Sequence, residues 1–319
     1  MIVAWVVGAG GLLGTALRRQ LEHEPEVRVL VTAVSWSEPA LAVSQLESAL
    51  DEWLSQSDAD AFELYWAAGA AVTSSTDAAV DIEVGIFERV MQALDHRLRE
   101  RPASRPVSVI FTSSAGGVYA GSAEPPFSES TAPRPIVPYG VGKLRMEDLL
   151  MRTCEPLGVH AFVCRVANLY GEGQSLGKQQ GFISHLCRSY VMRVPMSIYV
   201  SLDTLRDYLH VDDAARMMVA GARLQRDRGD HSVVKNIASL DSTSIAQLLQ
   251  YSRAVFKRRT GVIVASSPYA AGQVRDLRLT SEVYSEIDVL PKRTLLVGMD
   301  QIRRSLIAQL HTSERRNYG

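Results

Sequence analysis

The stretch Ile2-Val3-Ala4-Trp5-Val6-Val7-Gly8-Ala9-Gly10-Gly11-Leu12-Leu13-Gly14 decides the fold. Its first six residues are apolar and rich in β-formers, the pattern of a buried central parallel strand. Glycine then recurs at positions 8, 11 and 14. Without a Cβ the backbone turns sharply and can approach a pyrophosphate, which the N-terminus of a following helix stabilises. A dinucleotide GxGxxG pattern would put glycine at 13, where Leu13 stands, and a plain glycine turn is the alternative. The apolar residues Leu13, Ala16, Leu17 and Leu21 mark one face of a helix over 12–21. A second strand follows over 27–34, completing a βαβ unit.

Alternation continues outward from this unit. Helical periodicity covers 39–54, 77–99 and 139–154, and strand-like runs cover 62–68, 107–112 and 161–166. The order predicts an α/β fold with a Rossmann-like, doubly wound parallel sheet. After Gly171 the pattern loosens. We therefore assign 1–170 to a dinucleotide-binding domain, with returns near 206–240, and 171–319 mainly to a smaller C-terminal substrate lobe. The chain's 319 residues suit that division.

Composition excludes several classes. The 34 basic and 35 acidic side chains nearly cancel, which argues against a nucleic-acid partner. The run His96-Arg97-Leu98-Arg99-Glu100-Arg101 reads as a solvated helix end. Cys154, Cys164 and Cys187 lack the spacing of a zinc site or a disulfide framework, so no metal is expected and each reads as a buried apolar residue. No stretch is long enough to span a bilayer and no signal peptide is visible, so the expected location is cytoplasmic, without a membrane partner.

Two further groups of residues carry chemistry. A four-residue step puts Tyr139 and Lys143 on one helix face. A neighbouring ammonium favours a phenolate, which makes an acid/base for interconverting a hydroxyl and a carbonyl. Such pairs also arise by chance on helix surfaces. In Phe111-Thr112-Ser113-Ser114-Ala115-Gly116-Gly117-Val118-Tyr119, hydroxyls end a parallel strand, where ligands bind in such sheets. Plain capping of the strand end is the alternative.

Together these groups resemble the extended short-chain dehydrogenase/reductase family, in its nucleotide-sugar epimerase and dehydratase branch. Trp66-Ala67-Ala68, Pro138-Tyr139…Lys143, Arg165…Asn168-Leu169-Tyr170-Gly171 and Arg206-Asp207-Tyr208-Leu209-His210-Val211-Asp212-Asp213 follow in the family's order. The resemblance covers about residues 1–240 and weakens beyond. It implies that Tyr139 is the catalytic acid/base, Lys143 its partner on the nicotinamide ribose, and Ser114, or Ser113, the third member. Gly8, Gly11, Leu12, Leu13, Gly14, Thr32, Ala67, Ala68 and Ser113, with Tyr139 and Lys143, would line the NAD or NADP site. Ser114, Asn168 and Arg206 would face the nucleotide sugar, an arginine fork suiting its diphosphate. The alternative for Arg206-Asp207 is a local ion pair. Asp212 and Asp213 read as helix N-caps and His210 as structural. The resemblance reaches Arg275-Asp276 only weakly, as a nucleotide contact. The pocket itself would come from about 173–205 and 241–319.

Departures narrow the reaction. The acidic residue that ends the family's second strand and holds the adenosine ribose is missing. Thr32-Ala33 stand there, followed by Val34-Ser35-Trp36, with no arginine for a 2′-phosphate. Weak discrimination between NAD and NADP follows, helped by Arg18 or Arg19 if either points that way. Dehydratases of the family carry Asp-Glu after the active-site hydroxyl, and a 3,5-epimerase carries a cysteine. Ala115-Gly116 offer neither. The resemblance thus implies a 4-epimerase acting on a UDP- or dTDP-sugar by transient oxidation. The alternative is an NADPH-dependent 4-ketoreductase, and a third reading is a dinucleotide-binding sensor without turnover. A homodimer is expected through helices near 86–98 and 139–154, whose apolar faces carry Phe87, Val90, Met91, Leu94, Leu144, Leu149 and Leu150.

Overall fold

The structure, a computed structural model, describes residues 1–100, 105–177, 181–258, 261–265 and 274–317. Arg101 of the basic run and parts of the stretches assigned to the lobe lie outside them. In chain order the first half runs β1 (Ile2–Val7), α1 (Leu12–Glu22), β2 (Val27–Val31), α2 (Pro39–Leu54), β3 (Ala61–Trp66), α3 (Asp77–Glu100), β4 (Val107–Ser114), α4 (Ala115–Val118), α5 (Pro138–Cys154) and β5 (His160–Val166). The second half runs β6 (Asn168–Tyr170), α6 (Phe182–Met192), β7 (Met196–Ile198), β8 (Leu205–His210), α7 (Val211–Arg228), β9 (Ser232–Ile237), β10 (Ser242–Ser244), α8 (Ile245–Phe256), β11 (Val262–Val264), β12 (Asp276–Leu277), α9 (Ser285–Asp288) and α10 (Leu295–Asn317).

Six parallel strands form the central sheet in the order β2-β1-β3-β4-β5-β9. The two-residue period of a strand sends alternate side chains to opposite faces. In β1, Val3, Trp5 and Val7 join Leu46 and Trp53 of α2, Phe87 and Leu94 of α3 and Leu150 of α5. Ala4 and Val6 join Leu13 and Leu17 of α1 and Met217 and Met218 of α7 on the other side. The sheet is therefore doubly wound, as the alternation predicts, and its apolar runs are explained by helices covering both faces.

The sheet departs from a full pair of three-strand halves. The first half holds only β2 and β1, and among the described residues no strand pairs with the outer side of β2. Val31 at its end is half exposed, and Arg28 crosses to Asp58 and Gln56. A charged side chain of this kind blunts an edge strand. The strand expected over 27–34 also stops early, at Val31. Beyond it Thr32 accepts the Trp5 indole N–H at 3.0 Å, and Gln45 accepts the Ser35 backbone N–H at 2.8 Å. These two bonds hold the chain in an irregular path towards α2.

A second cluster of elements sits past β5. In it β8 pairs with β6, β10 and β12, and β7 with β11. Ile183, Leu186 and Tyr190 of α6 pack with Leu248 of α8 and Met299 and Ile302 of α10. Between these pieces α7 and β9 return to the main sheet.

The apolar faces that suggested a dimer are occupied within one chain. Phe87, Val90, Met91, Leu94 and Leu150 are buried, and Leu144 and Leu149 pack against the two cores. The outward sides of α3 and α5 carry the pairs Asp81–Arg145, Asp95–Arg99 and Asp148–Arg152. A surface hollow of about 530 Å³ there, lined by Asp95, Arg99, Glu100 and Arg152, lies away from the strand ends.

Candidate active site

The glycine turn is built by close approach. Gly8 leaves β1 at a φ of +86°, and a Cβ there would lie 2.6 Å from the Ala68 nitrogen. A Cβ on Gly14 would lie 2.1 Å from the Gly8 carbonyl oxygen, so only glycine lets α1 press onto the turn. The Gly11 N–H closes the turn on Gly8 O at 2.9 Å. Gly11 is also the N-cap of α1 and brings no side chain to it, so the first helical N–H groups receive no side-chain cap. Space stands open at Gly10, next to a cavity of about 80 Å³ lined by Gly10, Gly11, Leu12, Glu172, Gly173 and Asp212. Leu13 is buried in the core below. A helix N-terminus with free donors, approached by glycines, fits the pyrophosphate of a dinucleotide.

Ser114, Tyr139 and Lys143 meet at the C-terminal end of β4. Ser114 caps the short α4, accepting the Gly117 N–H at 3.1 Å. A Cβ on Gly117 would lie 3.0 Å from Tyr139 Cε1 and 3.3 Å from Ser114 Oγ, so the two side chains flank this glycine. A Cβ on Gly140 would lie 2.1 Å from Gly117 O, which shows how tightly α5 is seated on the turn. Pro138 stands at the N-terminus of α5 with Val137 extended before it, a sharp start that fixes where Tyr139 projects. Lys143 lies one turn on, its Nζ 5.7 Å from the Tyr139 ring centroid and 5.3 Å from that of Phe111.

The two serines part company. Ser113 is buried and donates to Glu147 of α5. The Ser113 hydroxyl is thus engaged by Glu147, while Ser114 Oγ lies beside Gly117 and the Tyr139 ring. Glu147, two turns from Tyr139 on α5, is forked by Arg165 of β5, whose Nη1 also donates to the Tyr119 hydroxyl at 2.8 Å. The Glu147 carboxylate keeps this buried guanidinium firmly charged, while burial pushes the Tyr119 phenol up.

Other expected residues are differently placed. Asn168 is exposed and donates to Asp207 O at 3.0 Å. Arg206 donates to the carbonyls of Leu205 and Val274, not to Asp207, and burial lowers its proton affinity. The local ion pair is therefore absent, because Asp207 faces inward and accepts the N–H groups of Ser239 and Leu240. Arg275 pairs with Asp203, and Asp276 with Arg278. Arg19 pairs with Asp212 and Arg18 with Glu22, so neither extends to the end of β2.

The N-cap of α7 is His210, whose Nδ1 accepts the Asp212 N–H at 3.2 Å. Asp212 and Asp213 occupy the first turn instead, and Asp213 holds Arg293 and Arg216. Glu172, His210 and Asp212 bring ligand atoms within 4.8 Å of one another. An imidazole that accepts at Nδ1 carries its proton on Nε2, the atom facing Glu172 at 3.8 Å, and so presents a donor there rather than a metal ligand. The three cysteines are buried and unpaired, and burial pushes Cys154 and Cys187 up to about 12.

Sequence reasoning missed Glu83 and Glu147. Glu147 had a signal, since it continues the four-residue step of Tyr139 and Lys143. Glu83 had none, because it reaches the site from α3.

Residues 4–238 match the family model described as the NAD dependent epimerase/dehydratase family. The chain is 27% identical over 201 residues to a dTDP-4-dehydro-6-deoxyglucose reductase of Escherichia coli, covering 62% of this chain and 61% of that relative. It is 29% identical over 155 residues to a UDP-glucose 4-epimerase of Azospirillum brasilense, covering 44% of each. The chain thus spans under two thirds of the length of these relatives. In fold it matches a UDP-glucose 4-epimerase of Thermotoga maritima solved with UDP-glucose, at a TM-score of 0.79 and 20% identity, over 97% of this chain and 100% of that one. With the parallel sheet, the glycine turn and the Ser-Tyr-Lys group on one sheet edge, the chain belongs to the NAD-dependent epimerase/dehydratase family.

Proposed function

We propose that this protein is an NAD(P)-dependent enzyme that epimerises a UDP- or dTDP-linked sugar at C4 through a transient keto-sugar. The observation that carries the reading is that Ser114 and Tyr139 flank Gly117 at the strand end, with Lys143 one turn on facing the Tyr139 ring. Gly8, Gly11, Leu12, Leu13 and Gly14 hold the pyrophosphate, Ala67 and Ala68 border the crevice, Thr32 lies towards the adenosine, and Lys143 lies on the nicotinamide ribose. A nicotinamide ring bound there supplies a hydride acceptor and donor.

Tyr139 removes the proton of the sugar hydroxyl as its carbon gives up hydride. Ser114 Oγ hydrogen-bonds the same oxygen and steadies it as it becomes a carbonyl. A nicotinamide held there would supply hydride to the opposite face of the carbonyl, and Tyr139 would return the proton to its oxygen, completing the epimerisation. Asn168 and Arg206 face the sugar diphosphate, Arg206 retaining donors beyond its two carbonyl bonds. The 171–319 lobe encloses the sugar. In this reading the protein works in the cytoplasm as a homodimer, with exposed Ile82 of α3 and Val141 of α5 at the seam. Its free, buried cysteines suit a reducing compartment. No helix among the described residues is long and apolar enough to cross a membrane. Light scattering that finds only monomer at micromolar concentration removes the dimer.

A second reading, one-way reduction of a keto-sugar by NADPH, is favoured by the longer match to the reductase relative. The deciding experiment incubates the protein with nucleotide sugars and their 4-keto derivatives, with NAD and NADP separately. Epimer formed without net cofactor change supports the first reading. Stoichiometric loss of NADPH supports the second. Tight dinucleotide binding without any product leaves a sensor.

A further inference from the structure

Glu83 is the one carboxylate that meets Lys143 among the described residues. Its Oε1 lies 3.2 Å from Lys143 Nζ, with side-chain exposures of 14% and 7%. Its Oε2 accepts two backbone N–H groups from the segment after β3, Ala70 at 3.0 Å and Ala71 at 2.9 Å. Gly69 makes room for the pair, since a Cβ there would stand 3.1 Å from Oε1 and 3.5 Å from Nζ.

An ionised carboxylate offers about four acceptor positions. The two on Oε2 are taken by the amides and one on Oε1 by Lys143. The position left over is on Oε1, next to the ammonium. An ammonium with donors to spare beside a carboxylate with one free acceptor is complementary to a vicinal diol. One hydroxyl accepts from nitrogen while its own proton goes to the carboxylate. The pair also sits at the C-terminal edge of the sheet, beside Tyr139.

We infer that Glu83 and Lys143 together clamp the nicotinamide-side ribose of the dinucleotide, Glu83 taking a ribose hydroxyl on Oε1. The inference rests on the reading that puts Lys143 at that ribose. It assigns to the nicotinamide end the carboxylate that the adenosine end lacks at Thr32-Ala33. The two amide bonds hold the carboxylate in place, so a ligand meets a preformed site and little side-chain freedom is lost on binding.

The test compares two ligands on three proteins. NADH carries the nicotinamide-side ribose, and ADP ends before it. Wild type, Glu83→Gln and Lys143→Met are titrated with NADH by fluorescence and with ADP by calorimetry. Glutamine keeps an oxygen for the Ala70 and Ala71 amides but replaces one acceptor by a donor. We expect Glu83→Gln to weaken NADH about tenfold or more and to leave ADP within about twofold. Equal weakening of both ligands overturns the clamp and makes Glu83 a support of the loop. Unchanged NADH affinity in Glu83→Gln, with weakening in Lys143→Met, overturns the role of Glu83 alone. Unchanged NADH affinity in both variants overturns the clamp together with the placement of Lys143 on the ribose.

Discussion

Arg165 of β5 grips Glu147 of α5 through a two-pronged contact, Nη2 to Oε2 at 2.7 Å and Nε to Oε1 at 3.1 Å. Both side chains are buried, and Glu147 sits one turn beyond Lys143 on the helix that carries Tyr139. The contact ties that helix to the strand beside β4. Removing one partner leaves a buried charge alone, which typically costs about 3–5 kcal/mol, whereas replacing both by apolar groups of similar volume is often near neutral. Arg165→Met is therefore expected to lower stability by that amount, and Arg165→Met with Glu147→Met to recover most of it. Urea unfolding of the two variants measures this. A double variant as unstable as the single one contradicts the account.

Tyr139→Phe keeps the ring that flanks Gly117 and faces Lys143 and removes only the oxygen. Loss of a general acid/base typically lowers the rate by about 10²–10⁴. Turnover on the true substrate should fall by that factor, with the melting temperature and NADH affinity close to wild type. Retention of most of the turnover would remove Tyr139 from the acid/base role.

Asp207 is fully buried, and burial pushes its carboxyl up to about 6 from an ordinary 3.8. The folded protein thus holds this proton more tightly than the unfolded chain does. Between pH 4 and 6 the unfolded state binds fewer protons, so this group's contribution to stability falls as pH rises and is flat above. The loss is on the order of 3 kcal/mol at 1.4 kcal/mol per pH unit. Asp207→Asn, less stable at pH 7 because its amide faces a backbone N–H, lacks that slope. The difference between wild-type and variant stability should therefore narrow from pH 4 to 6. A constant difference across that window excludes the shift.

In the proposed reading Thr32 and Ala33 stand at the adenosine end; neither carries a charge, and the Thr32 hydroxyl already accepts from Trp5. A carboxylate there would bond the ribose and repel a 2′-phosphate. Fluorescence titration should therefore find NADPH bound at least comparably to NADH. A preference for NADH above about a hundredfold, roughly 2.7 kcal/mol, would place an acidic group from elsewhere in the chain at this ribose.

The parts of the molecule legible in the sequence are those written in local periodicity. The turn at Gly8–Gly14 and the helix over 39–54 follow from spacing, and Tyr139 and Lys143 share a face because four residues make about one turn. What escaped depends on partners distant in the chain. Glu83 reaches Lys143 across 60 residues. Ser113 and Ser114 are alike as letters, and only the register of β4 in the sheet sends one to Glu147 and the other towards Tyr139. At α7 the two aspartates look like caps, yet a buried histidine just before them takes the amide. The lobe's small sheet joins Leu205–Arg206 to Asp276–Leu277, a pairing with no periodic signal to announce it.

The open flank of β2 has a kinetic meaning. A ligand seated above an edge strand has less protein surface to leave behind, and weaker enclosure is expressed mostly as faster departure. An epimerase regenerates its own hydride carrier in every cycle and gains from never releasing it. A reductase must discard the spent form and reload after each turnover. A short dinucleotide residence time, and a protein that emerges from purification without its carrier, are thus the behaviour this sheet edge favours. Among the described residues β2 has no outer neighbour, and the lifetime of bound NADPH is the quantity that separates the two cycles.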